Sequence, residues 1–379
     1  MHYIRFLKTP KVQVQGSNVT INTVVTITTD LGETFYPDDV ALAATVRSPD
    51  EDGDIYLRRV INWSAGMRSL PIAVSVARSD LEWPVALHVG LKQKSEQEPG
   101  ELPEIISVWS DSLNPLERKF EAMKRVERKT PLLNGKTLTM YEDTGDSIAR
   151  HLWDGSLALT AYIDRMVAFQ AHARIPLLEN TLMTATYRKL NVLELGCGVG
   201  VVGISLAQTI PDIDVVLTDL PEVEELVERN IEVMKPAMAS KVAFEPLDWE
   251  APLPPKVQAK TFDIIIAAEC IYNVDSIPLL VKTLAALIAK SPRAIILIST
   301  KVRHTSEALF HELAAKEGLV ESSRIALPLP GIPGYGYGDS ATQVDLYLFH
   351  GKNYRQTYSP DVELDKVYDM SAGRDSVEH

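Results

Sequence analysis

Two periods of hydrophobic and polar positions divide the chain. In residues 1 to about 112, polar and β-branched residues alternate at period two over 11–15 and 19–29 (VTINTVVTITT), and short extended runs continue at 40–46, 55–63, 70–77 and 84–91. Successive strand side chains point to opposite faces, so this alternation predicts short strands with one buried face. Acidic turns such as Ser48-Pro49-Asp50-Glu51-Asp52-Gly53 separate them, and strands joined this way predict a β-sandwich or small barrel. The lysine- and glutamate-rich stretch 92–104 predicts an exposed loop. Asn114-Pro115 has the form of an N-cap followed by proline at the first helical position. It predicts a charged connecting helix over LERKFEAMKRVERK and a domain boundary near residue 130.

Beyond that boundary the period changes. Residues 136–141 alternate as a strand, and Leu157, Leu159, Ile163, Met166 and Val167 then approximate one apolar face of a helix. An apolar strand at 191–195 runs into glycines 196, 198 and 200 and an apolar helix start at 201–207. Strands at 215–219, 242–244, 262–268 and 294–300 follow, with helices at 222–234, 276–289 and 306–316 between or after them. Residues 325–330 and 344–350 predict a closing hairpin around the loop GIPGYGYGDS. Strands alternating with helices predict a mostly parallel sheet. The expected organisation is an N-terminal β-rich domain at 1–130, a Rossmann-like α/β domain at 131–355, and an acidic, disordered tail at 356–379.

Composition narrows the class. With 379 residues, 45% hydrophobic and 23% charged, the chain has the make-up of a soluble globular protein of two domains. No run of about 18 uncharged apolar residues is present, and MHYIRFLKTPKVQ lacks the apolar core of a signal peptide. The expected location is the cytoplasm or nucleus, with no membrane partner. Cys197 and Cys270 are expected as reduced, buried thiols, and the eight histidines show no ligand spacing, so no metal is implied. A net charge of −13 argues against a nucleic-acid partner and leans toward a cationic substrate, such as a lysine on a basic protein.

The candidate chemistry centres on 191–208, NVLELGCGVGVVGISLAQ. Gly198-x-Gly200-x-x-Gly203 fits the dinucleotide fingerprint. Glu194-x-Gly196-x-Gly198-x-Gly200 fits a different cofactor, because a carboxylate beside the loop suits an ammonium and a sulfonium and repels a pyrophosphate. Asp219, at the end of the second parallel strand, sits where an acid can accept both ribose hydroxyls, a role that adenosyl and dinucleotide cofactors share.

Four groups in order, Leu152-Trp153-Asp154-Gly155, residues 194–200, Leu247-Asp248-Trp249 and Glu269-x-x-Tyr272, resemble those of the family 16 seven-stranded, S-adenosylmethionine-dependent protein methyltransferases, most of which modify lysine. The resemblance covers residues 136–352 and leaves out the β-rich region. It implies that Trp153 closes over the cofactor and that Glu194, Gly196 and Gly198 hold its methionine portion. It further implies that Asp219 binds the ribose, that Asp248 and Trp249 border the adenine, and that Ala268 completes the cofactor-binding set. Glu269 and Tyr272 are then the catalytic pair, acting mainly to orient a substrate amine. Glu269 stands where the family usually has aspartate, and a subgroup with glutamate there methylates histidine. The expected function is methylation of a protein side-chain nitrogen, lysine first. The alternatives are a small-molecule N-methyltransferase, a protein histidine methyltransferase, an NAD-dependent oxidoreductase and an inactive binding module.

Overall fold

A computed structural model describes residues 1–50, 53–92, 98–144, 147–301, 306–331 and 343–355. The first part holds strands β1 (His2–Gln15), β2 (Asn18–Thr28), β3 (Val40–Arg47), β4 (Ile55–Trp63), β5 (Leu70–Ala77), β6 (Ala86–Leu91), β7 (Ile105–Ile106), β8 (Val108–Ser110), β9 (Arg125–Pro131) and β10 (Thr137–Asp143). The second part holds helices α1 (Asp154–Val167) and α2 (Pro176–Met183), strand β11 (Leu190–Leu195), α3 (Val201–Thr209), β12 (Ile213–Asp219), α4 (Glu224–Val233), β13 (Lys241–Pro246) and the short α5 (Pro255–Gln258). It continues with β14 (Ile264–Ala268), α6 (Ile277–Lys290), β15 (Ile295–Thr300), α7 (Ser306–Lys316), β16 (Leu319–Pro328) and β17 (Gln343–Gly351).

The early strands form a sandwich of two sheets, ordered β5-β2-β1-β7 and β10-β9-β8-β6-β3-β4. Between them Ile4, Val25, Ile27, Leu42, Val74 and Trp63 are fully buried, each at 0% exposure, with the Trp63 indole N–H donating to Tyr36 O at 3.1 Å. The third sheet has seven strands in the order β13-β12-β11-β14-β15-β17-β16. Its first five strands run parallel, and β17 pairs antiparallel with both β15 and β16. Helices cover both faces, as a parallel sheet requires. One core cluster runs without a break from Tyr3, Leu138 and Met140 of the sandwich to Leu159 of α1 and Ile204 of α3, so the two parts share a core. No helix among the described residues is long and apolar enough to cross a membrane.

The expected charged helix over 116–129 does not form. Asn114 does cap, its side chain accepting the Leu116 N–H at 3.2 Å, but only one 3-10 turn (Pro115–Glu117) follows before Arg118 adopts a left-handed φ of 64°. Residues from Arg125 onward are strand β9, in which Val126 and Arg128 point inward and Glu127 and Lys129 outward. A buried arginine disguised the period-two pattern. The boundary expected near residue 130 accordingly falls inside the β9–β10 hairpin, whose strands belong to the six-stranded sheet up to Asp143. The closing hairpin is longer than expected, and α2 has no counterpart in the sequence reading. Most of the GIPGYGYGDS loop and the tail after residue 355 lie outside the described residues.

Arg128 is 2% exposed and reaches three acceptors: Glu142 Oε1 from Nε at 2.8 Å, and Ile4 O at 2.9 Å and Ser107 O at 2.7 Å from Nη1. Removing one member of a buried pair strands the other charge. Arg128→Met is therefore expected to lower the unfolding free energy by about 3–5 kcal/mol. Adding Glu142→Leu is expected to restore part of that loss, read as urea midpoints. A double variant no more stable than the single one would remove this pair from the account.

Candidate cofactor and substrate cleft

β11 lies between β12 and β14, where the strand order reverses, and ligands of open α/β sheets bind at the C-terminal strand ends beside such a point. The turn from β11 into α3 borders a cavity of about 630 Å³ there. Gly198 adopts a φ of 54°, and a Cβ on it would sit 3.0 Å from Ala149 O, so a larger residue would be both strained and crowded. Its N–H donates to Asp219 Oδ2 at 2.7 Å, and the Leu220 N–H donates to Asp219 Oδ1 at 2.7 Å. Two amides thereby fix the Asp219 carboxylate at the cavity wall, while burial holds its pKa above the usual aspartate range.

Trp153, Gly196, Gly198, Asp219, Asp248, Trp249, Ala268, Glu269 and Tyr272 all line this one cavity. Residues separated by up to 119 positions thus meet as the sequence pattern implied. Trp153 is held at the lip by its indole N–H, which donates to Ile148 O at 3.2 Å. Asp248 is exposed, and its Oδ1 accepts the Glu250 N–H at 2.9 Å. Tyr272 is 54% exposed at the mouth. Sequence reasoning missed Ile148, Ala149, His151 and Leu220, which also line the wall. Their only signal was proximity in the chain to Trp153 or Asp219.

Glu194 is the exception, because it does not line the cavity. Leu193 and Leu195 pack on one face of the sheet, so Glu194 between them points to the other, toward α3. There its Oε2 accepts the Gly203 N–H at 2.8 Å, with 2% of the residue exposed. In place of the expected contact with the methionine portion, the side chain braces the first turn of α3. Burial pushes its carboxyl up to about 8, so the group is largely protonated at neutral pH.

Glu269 follows the end of β14 with a φ of 58°, a left-handed conformation that disfavours any side chain. Its N–H donates to Ser299 O at 2.7 Å, and its Oε1 accepts the Gly155 N–H at 2.8 Å. The first amides of a helix lack intrahelical acceptors, and the N-cap residue of α1 is Trp153, which has none to offer. Glu269 supplies the acceptor from the neighbouring strand. The extra methylene relative to aspartate is the reach across to α1, and Gly155 makes room for it: a Cβ there would lie 2.3 Å from Glu269 Oε1. Cys197 and Cys270 are buried, and burial pushes both thiols well up, leaving neither as a ready nucleophile.

The cavity wall carries five carboxylates, on Asp219, Glu222, Asp248, Glu250 and Glu269, and among the described residues no lysine or arginine lines it. A sequence model of a family described as lysine methyltransferase matches residues 132–317. The protein-lysine N-methyltransferase EFM6 of Saccharomyces cerevisiae is 30% identical over 184 residues, 46% of this chain and 72% of that one. The chain belongs to the lysine methyltransferase family. Mouse EEF1A lysine methyltransferase 3 is 27% identical over 183 residues, 47% of this chain and 68% of its own. A UPF0665 family protein of Schizosaccharomyces pombe is 28% identical over 318 residues, 82% of this chain and 91% of its own. Residues 131–379 number only 249, so that likeness extends into the sandwich.

The cofactor of such an enzyme is S-adenosylmethionine, and the residues present fit it. The carboxylates suit an ammonium and a sulfonium, Trp153 and Trp249 offer flat apolar surface, and Asp219 offers paired acceptor oxygens. A pyrophosphate would meet those carboxylates with no lysine or arginine among the described lining residues to offset them. The dinucleotide oxidoreductase reading therefore fails.

Two variants test this geometry. Although aspartate is the family's usual residue here, Glu269→Asp is expected to lower stability by about 1–3 kcal/mol, because the Gly155 amide loses its acceptor; an unchanged denaturation midpoint contradicts the cap. Glu194 holds its proton in the folded state where the unfolded chain releases it. Its stabilising contribution is thus full below about pH 4.5 and is lost as pH rises through about 8. Glu194→Gln is expected to flatten the fall in thermal midpoint between pH 5 and 8, and parallel profiles for the two proteins contradict the assignment.

Proposed function

We propose that this chain transfers a methyl group from S-adenosylmethionine to the ε-amine of a lysine on a protein substrate. The observation that carries the reading is a cleft with five carboxylates and no lining lysine or arginine among the described residues, open at Glu269 and Tyr272. The names of the relatives support a lysine substrate for those proteins, and the charge of the cleft supports it for this one. When bound, the cofactor supplies an electrophilic methyl carried on a sulfonium. A lysine with a pKa of about 10.4 is almost wholly ammonium at pH 7, and freeing its lone pair costs about 4.6 kcal/mol. The carboxylates attract the ammonium to the cleft, and removal from water then favours the neutral amine. Glu269, immobilised by the Gly155 amide, and Tyr272 at the mouth orient that amine. Aligning the lone pair with the methyl carbon is the larger part of their contribution. A histidine, mostly neutral at pH 7, gains less from an acidic cleft, which is why lysine is the preferred reading.

S-adenosylhomocysteine is expected to raise the thermal midpoint, by the equivalent of about 2.7 kcal/mol at a hundredfold excess over Kd, while NAD leaves it unchanged. Asp219→Ala is expected to weaken that binding about 10- to 100-fold through loss of a charged hydrogen-bonding group. In cell extract, labelled cofactor is expected to mark a discrete protein band that yields methyl-lysine on acid hydrolysis and is lost with Asp219→Ala. Methyl-histidine, or label confined to small molecules, would overturn the lysine assignment.

A further inference from the structure

The short segment of residues 152–155 is gripped from several elements at once. The Leu152 N–H donates to Glu142 Oε2 of β10 at 2.9 Å. Asp154, 0% exposed, accepts from Tyr3 Oη of β1 at 2.8 Å and from Lys301 Nζ, just past β15, at 2.7 Å. The backbone nitrogen of Met1 lies 3.6 Å from the same Asp154 oxygen as Lys301. Lys301 also lies 3.9 Å from Asp30 Oδ1 of the sandwich. Gly155 donates its N–H to Glu269 Oε1 at 2.8 Å and accepts Ser299 Oγ at its carbonyl at 2.8 Å. Trp153, between these anchors, is the residue of the segment that lines the cleft.

Glu142, Tyr3 and the Met1 nitrogen all come from the N-terminal part, and Tyr3 lies 151 residues from Asp154 in sequence. A buried carboxylate is tolerated only where donors hold it in place, so Asp154 cannot move without disturbing its contacts to Tyr3, Lys301 and the Met1 nitrogen. Its immobility fixes the peptides on either side, which carry the Trp153 ring and the amide that orients Glu269. Tyr3 is itself not among the residues that line the cleft.

Resting on the methyltransferase reading, we propose that the N-terminal sandwich is part of the active site's framework, with Tyr3 a positioning residue that acts through Asp154 on Trp153 and Glu269. Displacements on the ångström scale at a reacting centre lower rates about a hundredfold. The sandwich is in this view a strut for the catalytic cleft in addition to whatever else its surface does.

The test uses the full chain with Tyr3→Phe, which keeps the buried ring and removes only the hydroxyl. Val74→Ala, deep in the sandwich on β5, is the control for destabilisation alone. Hydrogen exchange over residues 152–157 and calorimetric binding of S-adenosylhomocysteine are measured for both variants and the parent. Tyr3→Phe is expected to speed exchange in that segment and weaken binding about 10-fold, with Val74→Ala doing neither. Exchange in Tyr3→Phe matching that of Val74→Ala overturns the proposal, and so does faster exchange with unchanged affinity. Failure of the parent to bind at all is the failure of the methyltransferase reading. Exchange at Gly155 needs no cofactor and still decides whether Tyr3 holds the segment.

Discussion

Three of the acidic side chains that this fold buries, Glu142, Asp154 and Glu194, each have to find a donor, and the donors they find border the cleft. An unpaired buried carboxylate costs several kcal/mol, which is comparable to the whole stability of a domain. Glu142 is met by Arg128 and the Leu152 amide, Asp154 by Tyr3 and Lys301, and Glu194 by the Gly203 amide together with a retained proton. The first two hold the lip on which Trp153 sits. The third braces the first turn of α3, which follows the glycine turn.

That constraint joins the two parts of the molecule. The core running from Tyr3 and Met140 into α1 and α3, and the polar contacts across it, make the sandwich a neighbour of the cleft in structure although it is remote in sequence. The 318-residue likeness to the fission yeast protein, which spans both parts, is consistent with the two being kept together. The matches to EFM6 and to the mouse enzyme cover 46% and 47% of this chain.

Local signals made much of this legible in the sequence. Alternation in 19–29 marked β2, glycines between an apolar strand and an apolar helix marked the turn into α3, and Asp219 stood at a strand end. What stayed hidden was non-local or disguised. Strand β9 read as a charged helix because Arg128 is buried against Glu142, a pairing that no window of neighbouring residues reveals. The direction of Glu194 depends on which face of β11 meets α3. The reach of Glu269 to Gly155 spans 114 residues and that of Tyr3 to Asp154 spans 151. Residue type identified the chemistry, whereas packing decided which carboxylates face the ligand and which hold the walls.

The cleft at the ends of β11, β12 and β14 is proposed as the adenosyl-cofactor site, with Glu269 and Tyr272 on its substrate side. A crystal structure of the full chain grown with S-adenosylhomocysteine tests it most directly. The account predicts the ribose hydroxyls on Asp219, the adenine beside Trp249, and the thioether sulfur turned toward Glu269. Density for the ligand elsewhere, or an empty cleft at saturating ligand, would contradict it.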